Sequence, residues 1–228
     1  MKKQIKEIKI NTLGYLINII AFIIFLIAFY HLFNKGVLPF LGYAIFALVL
    51  ITPRVIYSKF NINNQIHPEL LSRFEILILA VIVLNSLGYL WLFDKSLYFF
   101  IEYDTFVHFL APILFTLCLA IGLMIYYFLK QIKIDKIRFV LNLAIITAIY
   151  TLFWELFEFG IDQLFQTTLF GQEGQYLDTL YDVIADFLSI PISAVIIYKY
   201  YDYLTSRFPK IPKLVKMQKN DIFNRIKK

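Results

Sequence analysis

Three short runs hold most of the side chains in this chain that can do chemistry. They are Asp104-Thr-Phe-Val-His108, Glu155-Leu-Phe-Glu158-Phe-Gly-Ile-Asp162 and Asp178-Thr-Leu-Tyr-Asp182-Val-Ile-Ala-Asp186. Within each run the polar residues recur three, four, seven or eight positions apart, which places them on one face of a helix. Carboxylates gathered in a low-dielectric setting cannot all stay ionised without a neutralising partner. The runs contain no Lys or Arg, so the partner is expected to be protons, a cationic substrate or bound metal. With His108 added, the donor set is mixed N and O, which suits Mg²⁺, Mn²⁺, Ca²⁺ or Zn²⁺. The expected metal ligands are His108, Glu155, Glu158, Asp182 and Asp186. Asp104, Asp162 and Asp178 are the expected catalytic groups, as general base or as residues that orient the ligands. A site this rich in carboxylates has room for two metals that activate water and neutralise phosphate. Asp104 and Asp178 also begin their helices, where a carboxylate can cap backbone N–H groups and meet the positive end of the dipole. Capping does not account for Glu155, Glu158 or Asp162 at the end of a helix, nor for Asp186 two turns inside one.

The elements that must carry these runs are membrane spans. Of 228 residues, 60% are apolar and 17% charged, which excludes a soluble globular domain. Seven Pro and eight Gly are too few for a disordered or collagen-like chain. Apolar runs long enough to cross hydrocarbon occur at 12–33, 37–56, about 74–93, about 105–129, 139 to about 160 and about 178–198. The fold class is therefore all-α, a polytopic bundle of about six transmembrane helices over residues 1–198. The acidic site lies on spans four to six, within 104–186. The Asn34-Lys35-Gly36 segment suits a tight reversal between the first two spans. The N-terminal apolar run is too long for a signal peptide and lacks a small-x-small cleavage site, so it reads as a retained anchor.

Charge sets the expected orientation. With the N-terminus inside, all Lys and Arg except Lys35 and Lys95 fall on the inner side, giving an N-in, C-in protein of the cytoplasmic membrane. This count places Arg54, Lys59 and Arg73 in the inner loop between spans two and three. Residues 199–228 form a basic cytoplasmic tail that enforces this orientation; Ile211, Val215, Ile222 and Ile226 can share one helix face for resting on anionic lipid. No aromatic stacking pattern accompanies the basic residues, so lipids rather than nucleic acid are the expected partners. Protein partners are not legible. The single cysteine, Cys118, sits in an apolar run and is expected to be buried and inert.

Counting about 20 residues across the hydrocarbon puts Glu155, Glu158, Asp182 and Asp186 within the outer half. An acid facing lipid there costs roughly 2.5–3.5 kcal/mol even on the mildest insertion scale, so these groups are expected to face one another. Asn85, Ser86, Ser189 and Ser193 are expected to hydrogen-bond between spans.

The ordered motifs Tyr103-Asp104-x-x-x-His108-Phe109, Trp154-Glu155-x-x-Glu158 and Asp178-Thr179-x-x-Asp182-x-x-x-Asp186 resemble the domain-of-unknown-function 2238 family of prokaryotic inner-membrane proteins, over roughly residues 70–200. A looser similarity is to VanZ-like membrane proteins. Glu158 stands where that pattern has Gln, Asp182 where it has Asn, and Asp186 where it has Gly. Neither resemblance implies a reaction. The residues themselves point first to a metal-dependent enzyme acting on lipid headgroups or lipid-linked phosphates. A cation or proton transporter, and a non-catalytic protein with a structural metal or ligand site, are the rival readings.

Overall fold

The computed structural model describes the backbone of residues 2–34, 36–59, 68–88, 96–98, 101–130, 132–165 and 176–207. The side chains of 1–12, 35, 38, 60–68, 89–101, 131, 162, 165–179 and 208–228 lie outside the described residues. Six helices follow one another: α1 Lys2–Asn34, α2 Val37–Lys59, α3 Pro68–Leu87, α4 Tyr103–Leu129, α5 Lys136–Phe165 and α6 Tyr176–Ser206. Each contains a stretch long and apolar enough to cross a membrane. In lipid a helix satisfies its own backbone polar groups, so these runs have no other stable spanning form among open structures. A short antiparallel hairpin, β1 Ser96–Tyr98 and β2 Ile101–Glu102, leads into α4.

Local chemistry sets the helix ends. Gly36 has φ +100° and its N–H meets the His31 carbonyl at 2.9 Å, the glycine-terminated C-cap that the Asn34-Lys35-Gly36 turn calls for. Asp135 caps α5, its Oδ2 accepting from the backbone N–H of Ile137 at 3.0 Å and Arg138 at 3.2 Å. α3 opens at Pro68 with Glu69 in its first turn and ends at Leu87, about six residues ahead of the 74–93 run expected from hydropathy. Arg54, Lys59 and Arg73 are accordingly helical rather than part of a loop. Hydropathy misplaced them because the charged pair Arg54 and Glu75 interrupts both apolar runs, whereas the bundle neutralises that pair internally. α6 continues through Ser206, past residue 198.

The core has two parts. Ile17, Ala21, Ile24 and Ala28 share one face of α1 and meet Tyr43, Ala47 and Leu50 of α2 and Ile82 of α3. Small residues at this seam let the helices approach closely, which matters where lipid tails are as apolar as the side chains. The second cluster joins Leu70 to Ala120, Ile121 and Met124 of α4, Phe139 and Leu143 of α5, and Ile197 and Leu204 of α6. Polar contacts tie the same end of the bundle. Glu69 pairs with Arg73 at 3.1 Å and Arg207 at 3.4 Å, and both guanidinium groups lie over the Tyr203 ring at 4.9 and 4.6 Å. α4 packs most extensively on α6, and α5 also packs on α6, so the three motif-bearing helices adjoin.

Candidate metal centre

His108 occupies the middle of the site. Its side chain is 6% exposed, and carboxylates from three helices surround both ring nitrogens. Glu155 Oε1 and Asp186 Oδ1 lie 3.2 and 3.5 Å from Nδ1; Asp104 Oδ1 and Glu158 Oε2 lie 3.8 and 3.9 Å from Nε2. Asp182, 6% exposed, completes a group in which one donor atom each of Asp104, His108 and Asp182 falls within 4.8 Å of the others. His108, Glu155 and Glu158 form a second such group.

Helix geometry accounts for the meeting. Asp104 and His108 are one turn apart on α4, Asp182 and Asp186 one turn apart on α6, and Glu155 and Glu158 share a face near the end of α5. α4 starts at Tyr103, α5 ends at Phe165 and α6 starts at Tyr176, so these three helix ends lie on one side of the bundle. His108, Glu155 and Asp186 lie within about three turns of those ends and meet in one layer. α4 is preceded by Glu102, which makes no side-chain cap, and Asp104 in the first turn joins the cluster instead.

The spacing suits a metal. Two cis ligands at about 2.1 Å in octahedral or tetrahedral coordination are about 3.0–3.4 Å apart. The observed 3.2–3.9 Å separations need only small rotamer shifts to reach that range. His108 belongs to both groups, one with Asp104 and Asp182 and one with Glu155 and Glu158, so a single imidazole serves either set of carboxylates. His108 supplies a basic group to the carboxylates on either side of its ring. A cavity of about 120 Å³ opens beside His108 and Asp186, with Asn85, Thr151, Tyr150 and Trp154 on its wall.

All five expected ligands, His108, Glu155, Glu158, Asp182 and Asp186, come together, and Asp104 joins them. Asp162 lies in α5 and Asp178 in α6, but their side chains fall outside the described residues.

The polar interior extends further than the three motifs indicate. Thr151, Thr147 and Thr116 are at most 2% exposed, and the Thr116 and Thr147 hydroxyls are 2.7 Å apart. Ser189 and Ser193 continue the α6 face of Asp182 and Asp186, each donating to a carbonyl of its own helix, Asp186 and Ser189 respectively, rather than to another span. Asn85 likewise donates to Val81 of its own helix. A usable signal for the threonines was present, because Thr147, Thr151, Glu155 and Glu158 share a single stripe of α5. Beyond Ser193 and Thr116 the column meets the apolar layer of Ala120, Leu143 and Ile197.

No curated protein and no solved structure matches this chain. Residues 13–203 match the family described as predicted membrane protein DUF2238, a span that reaches into all six helices and includes every residue of the His108 cluster, and the chain belongs to that family.

Proposed function

We propose that the His108 cluster holds a divalent metal and that the protein is a metal-dependent enzyme of the cytoplasmic membrane, acting on a lipid headgroup or lipid-linked phosphate at the outer leaflet. The observation that carries this reading is the convergence of His108 with Asp104, Glu155, Glu158, Asp182 and Asp186 from three helices. A bound Mg²⁺, Mn²⁺, Ca²⁺ or Zn²⁺ would supply an acidified water and a counter-charge for phosphate. Glu155, Glu158, Asp182 and Asp186 hold the ligand shell with His108, and Asp104 stands one turn away to take a proton or steady the imidazole. Asp162 and Asp178 belong to the same helix faces and are proposed for the same duties. The 120 Å³ cavity is the size of a phosphate group rather than of a whole lipid, so only the reacting headgroup would enter. The excess of Lys and Arg at the opposite end supports an orientation with both termini cytoplasmic and the centre facing outward.

The test is metal content by mass spectrometry of detergent-purified wild type and a Glu155→Gln, Asp182→Asn double variant, followed by turnover of lipid phosphates in vesicles. Near-stoichiometric metal in the wild type and its loss in the variant are expected, with Asp182→Asn abolishing turnover. Absence of metal from both after dialysis against all four ions would overturn the proposal.

The hydroxyl column of Thr151, Thr147, Thr116, Ser189 and Ser193 favours a second reading, proton or cation transport. The apolar layer below it would then have to open. Flux into proteoliposomes that disappears in Asp186→Asn would select transport. Bound metal with neither turnover nor flux would select a structural or ligand-holding centre.

A further inference from the structure

A cleft of about 350 Å³ lies between α1 and α2, lined by Asn18, Ile51, Arg54, Val55, Ser58 and Lys59. It sits at the end of the bundle opposite the metal centre, where α2 finishes and the apolar part of α1 begins. Its walls are graded. Lys59 and Ser58 stand at the mouth, the backbone of Arg54 lies about 7.5 Å further in along α2, and Ile51 and Val55 share one apolar helix face. Val55 is 52% exposed and Asn18, an amide within an apolar span, is exposed as well. Arg54 spends Nε and Nη2 on the two oxygens of Glu75, 2.8 Å each, which leaves Nη1 directed toward Gly14. A side chain at position 14 would collide with that guanidinium, so glycine there makes room for it.

The charge of the lining specifies the occupant. Arg54 and Glu75 neutralise each other, Lys59 has no described carboxylate partner, and residues 60–67 contain none. No acid lines the cleft. In sequence, the segment ahead of the first apolar run holds Lys2, Lys3, Lys6 and Lys9 against Glu7 alone. We infer that this cleft is a binding site for an anionic phospholipid, its headgroup phosphate beside Lys59 and the exposed edge of Arg54, its polar linkage against Ser58 and Asn18, and one acyl chain along Ile51 and Val55. A basic pocket between spans at the membrane surface is the form such a site takes. A zwitterionic headgroup would bring an ammonium with no carboxylate to meet it. Free phosphate would leave the apolar flank uncovered.

The experiment is native mass spectrometry of the full-length protein titrated with phosphatidylglycerol, phosphatidylcholine or inorganic phosphate, on wild type, Lys59→Gln and Val55→Trp. Lys59 and Val55 are exposed and outside the metal centre, and circular dichroism checks that both variants fold. Phosphatidylglycerol is expected to bind the wild type preferentially, about five-fold more weakly after Lys59→Gln, the loss expected for one basic side chain at a membrane surface. Val55→Trp, which fills the acyl flank, is expected to weaken it as well. Equal retention of phosphatidylcholine, indifference to Lys59→Gln, or binding of inorganic phosphate that ignores Val55→Trp and competes with the lipid would each overturn the assignment.

Discussion

Glu75 offers the sharpest test of how this bundle is held together. Its side chain is fully buried, and both oxygens accept from Arg54, 21 residues away on the neighbouring helix, at 2.8 Å. The Arg54 side chain is 27% exposed, so the two partners are not equivalent. Arg54→Met leaves a carboxylate in a dry interior, and breaking a buried pair in this way costs about 3–5 kcal/mol. Glu75→Leu leaves a guanidinium on a long stem near the helix end, where it can turn to the membrane surface, so the loss falls nearer about 1–3 kcal/mol. The double variant removes both charges and is expected to lie close to wild type, since apolar replacement of a buried pair is often neutral or better. Gly14→Ala provides an internal check. Its Cβ meets the pinned guanidinium, so it destabilises the wild type, but in the double variant it recovers about 0.5–1 kcal/mol by replacing a helical glycine. Reversible unfolding in mixed micelles of dodecyl sulfate and decyl maltoside, followed by far-ultraviolet circular dichroism, measures all of these. Equal single losses that simply add in the double variant would refute the reasoning, because the pair would then carry no coupling.

The Thr116 and Thr147 hydroxyls behave asymmetrically. Thr116 donates to the Pro112 carbonyl at 2.6 Å, so the 2.7 Å contact between the hydroxyls is a donation from Thr147. Thr116→Val is therefore expected to cost about 1 kcal/mol more than Thr147→Val, because it leaves the buried Thr147 hydroxyl without an acceptor; equal losses in the same unfolding assay would contradict that direction. Cys118, buried and the chain's one thiol, should react with a maleimide orders of magnitude more slowly in the folded protein than in dodecyl sulfate, and a comparable rate in both would mean that α4 does not pack as described.

Much of the centre was legible before any packing was known. A charged group inside an apolar run is expensive enough to demand a reason, and helical spacing shows which such groups share a face, so His108, Glu155, Glu158, Asp182 and Asp186 stand out. The threonines of the hydroxyl column escaped notice because Thr passes through an apolar helix at little cost, satisfied by a carbonyl of its own helix as Thr116 and Thr151 are, and so raises no alarm in composition. Arg54 was read as a loop residue because hydropathy registers its charge alone and cannot register its neutralisation by Glu75 on the next helix.

Composition and periodicity alone determine that the chain crosses the membrane six times, that its acids collect toward one face and its basic residues toward the other, and how deep each acid lies. These are one-dimensional properties, set by a rise of 1.5 Å per residue and by the requirement that backbone polar groups be satisfied in lipid. Tertiary structure alone decided that α4 and α5 both pack on α6, that Glu155 and Asp186 approach Nδ1 of His108 while Asp104 and Glu158 approach Nε2, and that Arg54 pairs with Glu75 beneath Gly14. The lateral order of helices leaves little trace in hydropathy, because neighbouring helices and lipid tails are equally apolar, and the choice between them rests on side-chain shape and a few buried polar contacts.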